Sequence, residues 1–337
     1  MAADNCENNE VFKAVRVEKF GDPSVLELKD IKEWALEKDE VLVKLHAVGV
    51  NPVDTYIRSG AYSRLPRLPY TPGGDGAGVV EKVGEGVEKV KVGDRVWLSG
   101  SVAGTYAQKT KAKESNCHIL PEIVSYAQGA AINVPYATAY RALFVRGKGK
   151  EKKEGEKLKV LIHGGSGGVG IAAIQLSVDA GFEVFATAGS EEGIELMKKQ
   201  GAHHTYNHRE NNYNKQIQTD SKDGVDMIVE MLANVNLDTD INLLRRGGVV
   251  LVVGNRGTVE INPRGLMGRE ADIRGVALSL SSPEERKEID DAIQDGLQRG
   301  ALKPVIGEER KLADVSQAHV DILTTRRLGK MVLVPWE

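Results

Sequence analysis

Short apolar runs of strand length fill the chain from residue 11 to about residue 131, and glycines and prolines separate them. Runs of this length between such turn signals are typical of β-strands. The pattern therefore predicts a compact, mostly β domain. Its predicted strands span residues 14–17, 25–28, 41–45, 78–83 and 94–97.

From about residue 132 onward, apolar runs alternate with segments of helical pattern. Continuous apolar strands that alternate with helices indicate a parallel sheet with both faces covered. The predicted strands span residues 160–162, 183–188, 205–207, 225–230, 249–254 and 273–278. The predicted helices span residues 137–145, 171–176, 191–201 and 237–244. Ser190 is the expected N-cap of the third helix.

The last part of the chain carries an amphipathic helix at 284–298 and a final strand at 330–334. Because a strand needs partners, we expect this segment to return to the β domain. The predicted domains are residues 1–131 together with 282–337, and residues 132–281. Residues 1–10 are polar and lack the apolar core of a signal peptide, so they are predicted to form a flexible tail. The charged run at 147–157 is predicted to be a solvated loop.

The parallel-sheet domain begins with a glycine-rich turn between its first strand and the next helix. Gly165, Gly167 and Gly170 fill the pattern G-x-G-x-x-G. In dinucleotide-binding folds, such glycines permit a tight turn, close approach of the backbone to a pyrophosphate, and close packing of helix on strand. A glycine-rich loop without a ligand is the alternative. The flanking strand and helix favour a doubly wound Rossmann domain that binds a nucleotide.

Composition excludes several classes of protein. The 337 residues are 41% hydrophobic and 28% charged, which suits two domains with cores of their own. A net charge of −3 gives no broad attraction for nucleic acid or an anionic membrane, and no apolar stretch has the length of a membrane span. Cys6 and Cys117 are too few for a disulfide framework or a four-cysteine zinc site, which fits a reducing, cytoplasmic setting.

The end of the second strand of the nucleotide domain bears on the choice of cofactor. NAD-specific enzymes usually place an acid about 20 residues beyond the glycines, where it holds the ribose 2′-hydroxyl. Here the strand ends in Ala188, Gly189 and Ser190. Glu191 and Glu192 follow one or two positions later, where favourable roles at a helix N-terminus explain them equally well.

Four longer stretches resemble a known family. They are residues 49–60 (GVNPVDTYIRSG), 135–142 (PYATAYRA), 230–236 (EMLANVN) and 257–264 (GTVEINPR). Together with the domain order, they resemble the medium-chain dehydrogenase/reductase superfamily and, within it, the ζ-crystallin family of NADPH:quinone reductases. The similarity extends from Val11 to Val334. Departures from that family are Gly165 in place of alanine, Asn255 in place of serine, and a longer loop at 148–154.

The resemblance implies an α/β fold in which a GroES-like catalytic domain is joined to a Rossmann domain, and chemistry without a metal. Zinc alcohol dehydrogenases of the superfamily have a cysteine at the position of Asn51 and a histidine at that of Gly74, and both are missing here. The lobe that would carry four structural cysteines is also missing. A quinone is electrophilic enough to accept a hydride without a Lewis acid. His203 and His204 are expected to be surface or packing residues, not metal ligands.

Candidate groups on the acceptor side are Asn51, Tyr56, Tyr62 and Tyr136. An asparagine amide can donate to a carbonyl oxygen, and a phenol can donate a proton or line a flat cleft. The resemblance places the matches of Asn51, Tyr56 and Tyr62 near the nicotinamide, so these three are the predicted catalytic residues. Both Tyr56 and Tyr62 are expected in a loop after Pro52. Core packing for Tyr136 and a surface position for Tyr62 are the alternatives.

The resemblance also implies NADPH as the cofactor. His208, helped by Arg209, is predicted to contact the adenosine 2′-phosphate, because it follows the strand whose end lies beside that ribose in a doubly wound sheet. A solvated loop at these two residues is the alternative. The predicted cofactor contacts are Tyr56, Gly165, Ser166, Gly167, Gly168, Val169, Gly170, Gly189, His208, Asn236, Val253, Gly254, Asn255, Arg256, Val276, Ala277 and Leu278.

Three functions are consistent with these observations. The favoured one is a cytoplasmic, NADPH-dependent, zinc-free reductase of small-molecule quinones, and relatives suggest a homotetramer. The enzymatic alternative is an enone or alkenal reductase, in which Tyr62 protonates the α-carbon. The non-enzymatic alternative is a crystallin-like structural or RNA-binding protein. The acidic net charge and the lack of an aromatic-rich basic module argue against RNA.

Overall fold

The computed structural model describes residues 10–151, 155, 157–324 and 328–336. Most of the predicted tail at 1–10 lies outside the described residues, as does part of the charged run at 147–157. The chain divides into two compact units. The first comprises residues 1–133, 306–326 and 330–337, and the second comprises residues 134–305 and 327–329. Within the described ranges, no helix is both long and apolar enough to cross a membrane.

Element labels follow chain order. The strands are β1 Val11–Arg16, β2 Glu27–Lys32, β3 Glu40–Gly49, β4 Asp75–Val83, β5 Arg95–Leu98, β6 Lys109–Lys113, β7 Cys117–Ile119, β8 Lys159–Ile162, β9 Glu183–Ala188, β10 His204–Asn207, β11 Val225–Glu230, β12 Leu244–Val252, β13 Asp272–Gly275, β14 Ile306–Lys311 and β15 Lys330–Val334. The helices are α1 Pro52–Ser59, α2 Tyr126–Gly129, α3 Asn133–Tyr140, α4 Gly168–Asp179, α5 Glu191–Lys199, α6 Tyr213–Ser221, α7 Ala233–Leu243, α8 Pro263–Arg269, α9 Pro283–Gln298 and α10 Val315–Thr324.

The first unit contains a mostly antiparallel sheet with the strand order β14-β15-β3-β4-β5-β7, and β6 pairs with β3. Strands β1 and β2 form a separate antiparallel pair. Alternate residues of β3, Val41, Val43 and Leu45, are fully buried in the core of this unit. Strand β15 pairs with β3, with Val332 opposite Gly49. The predicted return of the final strand to the β domain is therefore confirmed.

The predicted strand at 25–28 is wrong in its position. Strand β2 begins at Glu27, because residues Pro23–Val25 form a short helical turn. The Asp22 carboxylate caps this turn by accepting from the amide of Ser24 at 2.9 Å. A proline at the first helical position favours the same geometry.

The predicted loop after Asn51 is also wrong, because this segment forms helix α1. Pro52 occupies the first helical position, where its missing N–H costs nothing. The Asp54 carboxylate accepts from the backbone amide of Asn51 at 2.9 Å. Gly60 ends the helix in a left-handed conformation with φ 82°. Tyr56 therefore lies on a helix, and Tyr62 lies in the irregular segment after it.

The second unit is built on a parallel six-stranded sheet with the order β10-β9-β8-β11-β12-β13. This is the doubly wound order of a dinucleotide-binding domain, in which the direction of strand addition reverses between β8 and β11. The Rossmann prediction is therefore confirmed. Strand β11 in the middle of the sheet is buried on both faces, because its successive residues Met227, Ile228 and Val229 are all buried. Ser190 caps α5 as predicted, accepting from the amide of Gly193 at 3.2 Å.

The second boundary between the units differs from the prediction. The pattern assigned residues 282–305 to the β domain, whereas the structure places them in the second unit. Helix α9 buries Ile289, Ile293 and Leu297 there, and Glu285 at its N-terminus pairs with Arg141 at 3.0 Å. The amphipathic pattern predicted the helix but did not identify the surface on which it packs. The first boundary falls after residue 133, close to the predicted 131.

Two further elements of the second unit differ in length from the prediction. Strand β13 covers only Asp272–Gly275, where it pairs with β12, and a helical turn at Leu278–Leu280 follows. The helix predicted at 137–145 begins earlier as α3 and continues as a π-helical segment at Arg141–Arg146.

Candidate functional site

The glycine-rich turn lies between β8 and α4. Gly164 adopts a left-handed conformation with φ 60°, which a residue with a side chain rarely adopts. Gly167 is the N-cap of α4. A β-carbon on Gly170 would collide with the carbonyl oxygen of Gly164. The turn is therefore made by Gly170 and by Gly164, which stands one residue before the G-x-G-x-x-G pattern.

Gly167 leaves free space at this turn. Among the described residues, a β-carbon there would meet only the carbonyl oxygen of Gly164, at 3.5 Å. Packing within the protein therefore does not require a glycine at this position. The first four amides of an α-helix have no partner within the helix, so those at the start of α4 can face a phosphate. The turn fits the pyrophosphate of a dinucleotide.

The other cofactor residues predicted in the second unit follow the remaining strands. Gly189 follows β9, His208 follows β10, and Asn236 lies in the helix after β11. Residues 253–256 follow β12, and residues 276–278 follow β13. Because the strands are parallel, their carboxyl ends meet at one edge of the sheet. Doubly wound sheets bind dinucleotides at this edge.

Two basic side chains lie against Gly189. The backbone amide of His208 donates to the carbonyl oxygen of Ala188 at 3.0 Å. A β-carbon on Gly189 would lie 2.7 Å from His208 Nε2 and 3.1 Å from Arg209 Nε. Basic groups therefore stand where NAD-specific enzymes place an acid. Glu192 acts at the start of α5, where hydrogen bonds from its own backbone amide and from the N-cap serine lower its pKa.

A buried polar cluster next to the glycine-rich turn was missed from the sequence. His163 directly precedes the turn, and its Nε2 lies 2.9 Å from Asp240 Oδ1 while its Nδ1 lies 3.1 Å from Thr187 Oγ1. Glu230 is the last residue of β11. The side-chain amide of Asn236 donates to both oxygens of Glu230 at 3.2 Å. The cluster therefore connects the turn with a predicted cofactor residue.

Burial dominates the electrostatics of this cluster. Glu230 is fully buried, and Asp240 is 1% exposed. Desolvation raises the pKa of each of these carboxyl groups to about 7. Desolvation also lowers the pKa of His163. The cluster therefore prefers uncharged groups, with a proton on the carboxyl pair and a neutral imidazole.

The composition of this cluster also raises the question of a metal ion. Donor atoms of His163, Glu230 and Asp240 lie within 4.8 Å of one another. His163 Nε2 and Asp240 Oδ1 are at hydrogen-bond distance, so a hydrogen bond already accounts for their close approach. The signal that could have revealed the cluster is a glutamate directly after the apolar run at 227–229.

In the first unit, Asn51 belongs to a second buried polar cluster. Its Nδ2 donates to Asp75 Oδ2 at 2.9 Å, and its Oδ1 accepts from the ammonium of Lys330. Lys330 Nζ also lies 3.0 Å from Asp75 Oδ2. The Asn51 side chain is thus held by a cation and a carboxylate.

Asp54 extends this second cluster. Its carboxylate accepts from the hydroxyl of Tyr106 at 3.0 Å, and His319 Nε2 lies 3.2 Å from the same hydroxyl. Burial raises the pKa of Asp54 to about 6 and lowers the pKa of His319 to about 3. The buried Asp54 carboxyl in the first turn of α1 and the neutral imidazole of His319 therefore both contact the Tyr106 hydroxyl.

The candidate tyrosines occupy different environments. Tyr56 and Tyr62 are half-buried and follow Asn51 closely in the chain. Tyr136 is 2% exposed, and its hydroxyl donates to Gln175 Oε1 at 2.7 Å. Core packing, the alternative for Tyr136, therefore describes this residue. Tyr56 and Tyr62 remain the accessible pair.

The positions that carry zinc ligands in metal-dependent relatives do not suit zinc here. Gly74 has no side chain, and the oxygen of Asn51 already accepts from an ammonium group. A metal ion between Asn51 and Asp75 would meet the positive charge of Lys330. The residues present therefore do not fit a catalytic zinc ion.

Comparisons with known proteins decide the family. A family described as "Alcohol dehydrogenase GroES-like domain" matches residues 37–142, and one described as "Zinc-binding dehydrogenase" matches residues 168–295. The quinone oxidoreductases of Rattus norvegicus and Homo sapiens are 48% and 49% identical to the chain over 327 residues, which cover 96% of this chain and 98% of each relative. The chain belongs to the quinone oxidoreductase family.

Solved structures of quinone oxidoreductases share this fold. The Escherichia coli quinone oxidoreductase, solved in complex with NADPH, has a TM-score of 0.82 and 27% identity, and the match covers 96% of this chain and 100% of that one. A mycobacterial protein, also solved in complex with NADPH, has a TM-score of 0.84 and 28% identity with the same coverage. The predicted pairing of a GroES-like domain with a Rossmann domain is confirmed.

Proposed function

We propose that the chain is an NADPH-dependent quinone reductase that works without zinc. The observation that carries this proposal is the 48–49% identity to mammalian quinone oxidoreductases over nearly the whole chain. Two relatives of the same fold were solved with NADPH, which supports the same cofactor here. The basic side chains of His208 and Arg209 beside Gly189 suit a 2′-phosphate.

The chain's own residues bind and orient the reactants. Amides at the start of α4 hold the pyrophosphate, and Asn236, held by Glu230, contacts the cofactor at the end of β11. Asn51 donates from its side-chain amide to a quinone carbonyl oxygen, and Tyr56 and Tyr62 line the flat acceptor site. When bound, NADPH supplies a hydride to the quinone. Solvent then supplies the proton that completes the hydroquinone.

A panel of acceptors tests this function. The purified chain is mixed with NADPH and an ortho-quinone, a para-quinone or an α,β-unsaturated aldehyde, and both NADPH oxidation and the products are measured. We expect oxidation with the quinones and recovery of hydroquinones. A saturated aldehyde as the main product would favour the enone reductase, and no oxidation in any arm would favour a non-enzymatic role.

Quinone reduction should survive removal of metal ions. The ligand positions at Asn51 and Gly74 do not suit zinc, so no step depends on a Lewis acid. After dialysis against a strong chelator, we expect unchanged turnover and no stoichiometric zinc by elemental analysis. Chelator-sensitive turnover that added zinc restores would contradict this expectation.

The hydroxyls of Tyr56 and Tyr62 should matter for turnover and not for folding. Each phenylalanine variant removes one hydrogen bond to the acceptor, which corresponds to a loss of about three- to tenfold in kcat/KM. Because both side chains are half-buried, the melting temperature should stay unchanged. The matched control is Tyr136→Phe, which removes a buried hydrogen bond to Gln175 and should lower the melting temperature without changing turnover. A lower melting temperature with normal turnover in Tyr56→Phe and Tyr62→Phe would overturn these roles.

We also propose a cytoplasmic homotetramer. The resemblance to the ζ-crystallin family supports the tetramer, and the presence of Cys6 and Cys117 without a disulfide framework supports a reducing compartment. Light scattering coupled to gel filtration measures the assembly. The net charge of −3 argues against RNA as a primary partner, which a filter-binding assay tests.

A further inference from the structure

A ring of three buried side chains joins three strands of the first unit. Lys330 of β15 contacts Asn51 Oδ1 and lies 3.0 Å from Asp75 Oδ2. Asn51, which follows β3, donates to the same oxygen of Asp75 at 2.9 Å. Lys330 is 6% exposed and Asp75 is fully buried. The pairing of β15 and β4 with β3 holds these groups together.

Gly49 makes room for the lysine side chain. It stands opposite Val332 on β15 and Asp75 on β4. A β-carbon on Gly49 would lie 3.0 Å from Lys330 Cε and 2.8 Å from Asp75 Cβ, and it would collide with the carbonyl oxygen of Ala130. The lysine stem therefore passes directly over a residue without a side chain, which lets the fold bury the charged group.

Stability alone does not account for Lys330. Removing an ammonium from water is costly, and well-packed apolar residues often replace buried ion pairs without loss of stability. The contacts of Lys330 point instead to Asn51, whose side chain is fixed in one orientation by the ammonium and the Asp75 carboxylate.

We propose that Lys330 is a positioning residue for quinone reduction, an inference that rests on the proposed function. Its ammonium holds the side-chain oxygen of Asn51 and so fixes the direction of the Asn51 amide. The amide of Asn51 has two hydrogens, and its contacts with the described residues use one of them. The other hydrogen is directed to the quinone oxygen.

The chemistry of the acceptor explains why an oriented hydrogen-bond donor matters. Addition of a hydride to a quinone gives a hydroquinone monoanion, whose negative oxygen takes one proton from solvent to complete the reduction. A preorganised N–H of Asn51, held in place through Lys330, stabilises this oxygen as its charge develops. The hydrogen bond from Lys330 to Asn51 Oδ1 also polarises the amide and strengthens its remaining N–H as a donor.

Lys330→Met tests the proposal, because methionine keeps the length of the side chain without its charge. We expect kcat for a para-quinone to fall about 10- to 100-fold, somewhat less than loss of a direct oxyanion donor. The Kd for NADPH, from fluorescence titration, should change less than about threefold. The matched control is Lys109→Met, which removes another buried lysine of the same sheet, paired with Glu33 and Glu81. It should lower the melting temperature and leave the kcat of the folded enzyme unchanged.

A double-mutant cycle shows whether Lys330 acts through Asn51. In the Asn51→Ala background, Lys330→Met should cost less than about a further threefold. The variant Lys330→Met/Asp75→Asn buries no uncompensated charge, so it decides the question if the single variant does not fold. Wild-type kcat in either Lys330 variant, or a full independent loss in the Asn51→Ala background, would overturn the proposal. If the wild-type enzyme fails to oxidise NADPH in the presence of any quinone, the proposed function is overturned, and this inference with it.

Discussion

The His208→Ala variant should bind NADPH about ten- to a hundredfold more weakly than the wild type, with NADH binding nearly unchanged. A charge-assisted contact with a phosphate is worth about 1.5 to 3 kcal/mol, and about 1.4 kcal/mol is tenfold in Kd. His208 Nε2 lies beside Gly189 at the end of β9, where the ribose of a dinucleotide binds in a doubly wound sheet. NADH has no 2′-phosphate, so the lost contact does not affect it.

Titration of both cofactors at low and moderate salt measures this effect. The preference for NADPH should shrink as salt rises, because added ions screen the phosphate contact. His203→Ala is the matched control, since it removes a histidine at the opposite end of β10 and should leave both affinities unchanged. Equal wild-type affinity for the two cofactors, or an equal loss for both in His208→Ala, would refute the assignment.

Local patterns predicted the second unit well because each of its strands carries its own signal. The apolar runs at 183–188 and 225–230 coincide with β9 and β11 to the residue. The glycine-rich turn was also readable, because a tight strand-to-helix turn needs residues without side chains at fixed spacing. Even there, the left-handed residue is Gly164, which the pattern did not include.

Packing between distant segments was not predictable in the same way. The amphipathic pattern of α9 showed that one face is buried but contains no information about its partner. Helix α1 was missed because Asn51-Pro52 is also a common turn signal, and only the Asp54 contact and Gly60 show that a helix follows. Lys330 reaches Asn51 across 279 positions of the chain, which no local pattern reveals.

Raising the pH from 5 to 8 should lower the free energy of unfolding through the buried pair of Glu230 and Asp240. Burial raises the pKa of both groups to about 7, whereas unfolded carboxyls titrate near their ordinary values. Between these values, the folded chain binds more protons than the unfolded chain. The stabilisation is therefore fully present below the unfolded pKa and is lost as the pH rises through about 7.

The size of this effect follows from the shift in pKa. The pair shares one environment, so we count a single proton and the shift of Glu230 from 4.5 to about 7. At about 1.4 kcal/mol per pKa unit, the free energy of unfolding should fall by about 2 to 3 kcal/mol across this range. His163 contributes with the opposite sign, because burial lowers its pKa and its protonation in the unfolded chain favours unfolding at low pH.

Glu230→Gln separates the carboxyl contribution from that of the histidine. Glutamine keeps an oxygen that accepts from the backbone amide of Leu232, but it does not titrate, so the variant should lose at least half of the pH dependence. Urea unfolding followed by far-UV circular dichroism at pH 5, 6, 7 and 8 measures it. The matched control is Asp179→Asn. In the wild type, Asp179 pairs with Arg299, which lowers the pKa of the Asp179 carboxyl, so this group is ionised in the folded and the unfolded chain across this range. Asp179→Asn should change the free energy of unfolding by the same amount at every pH and leave its slope against pH intact. Equal slopes for the wild type and Glu230→Gln would show that Glu230 carries no proton in the folded chain.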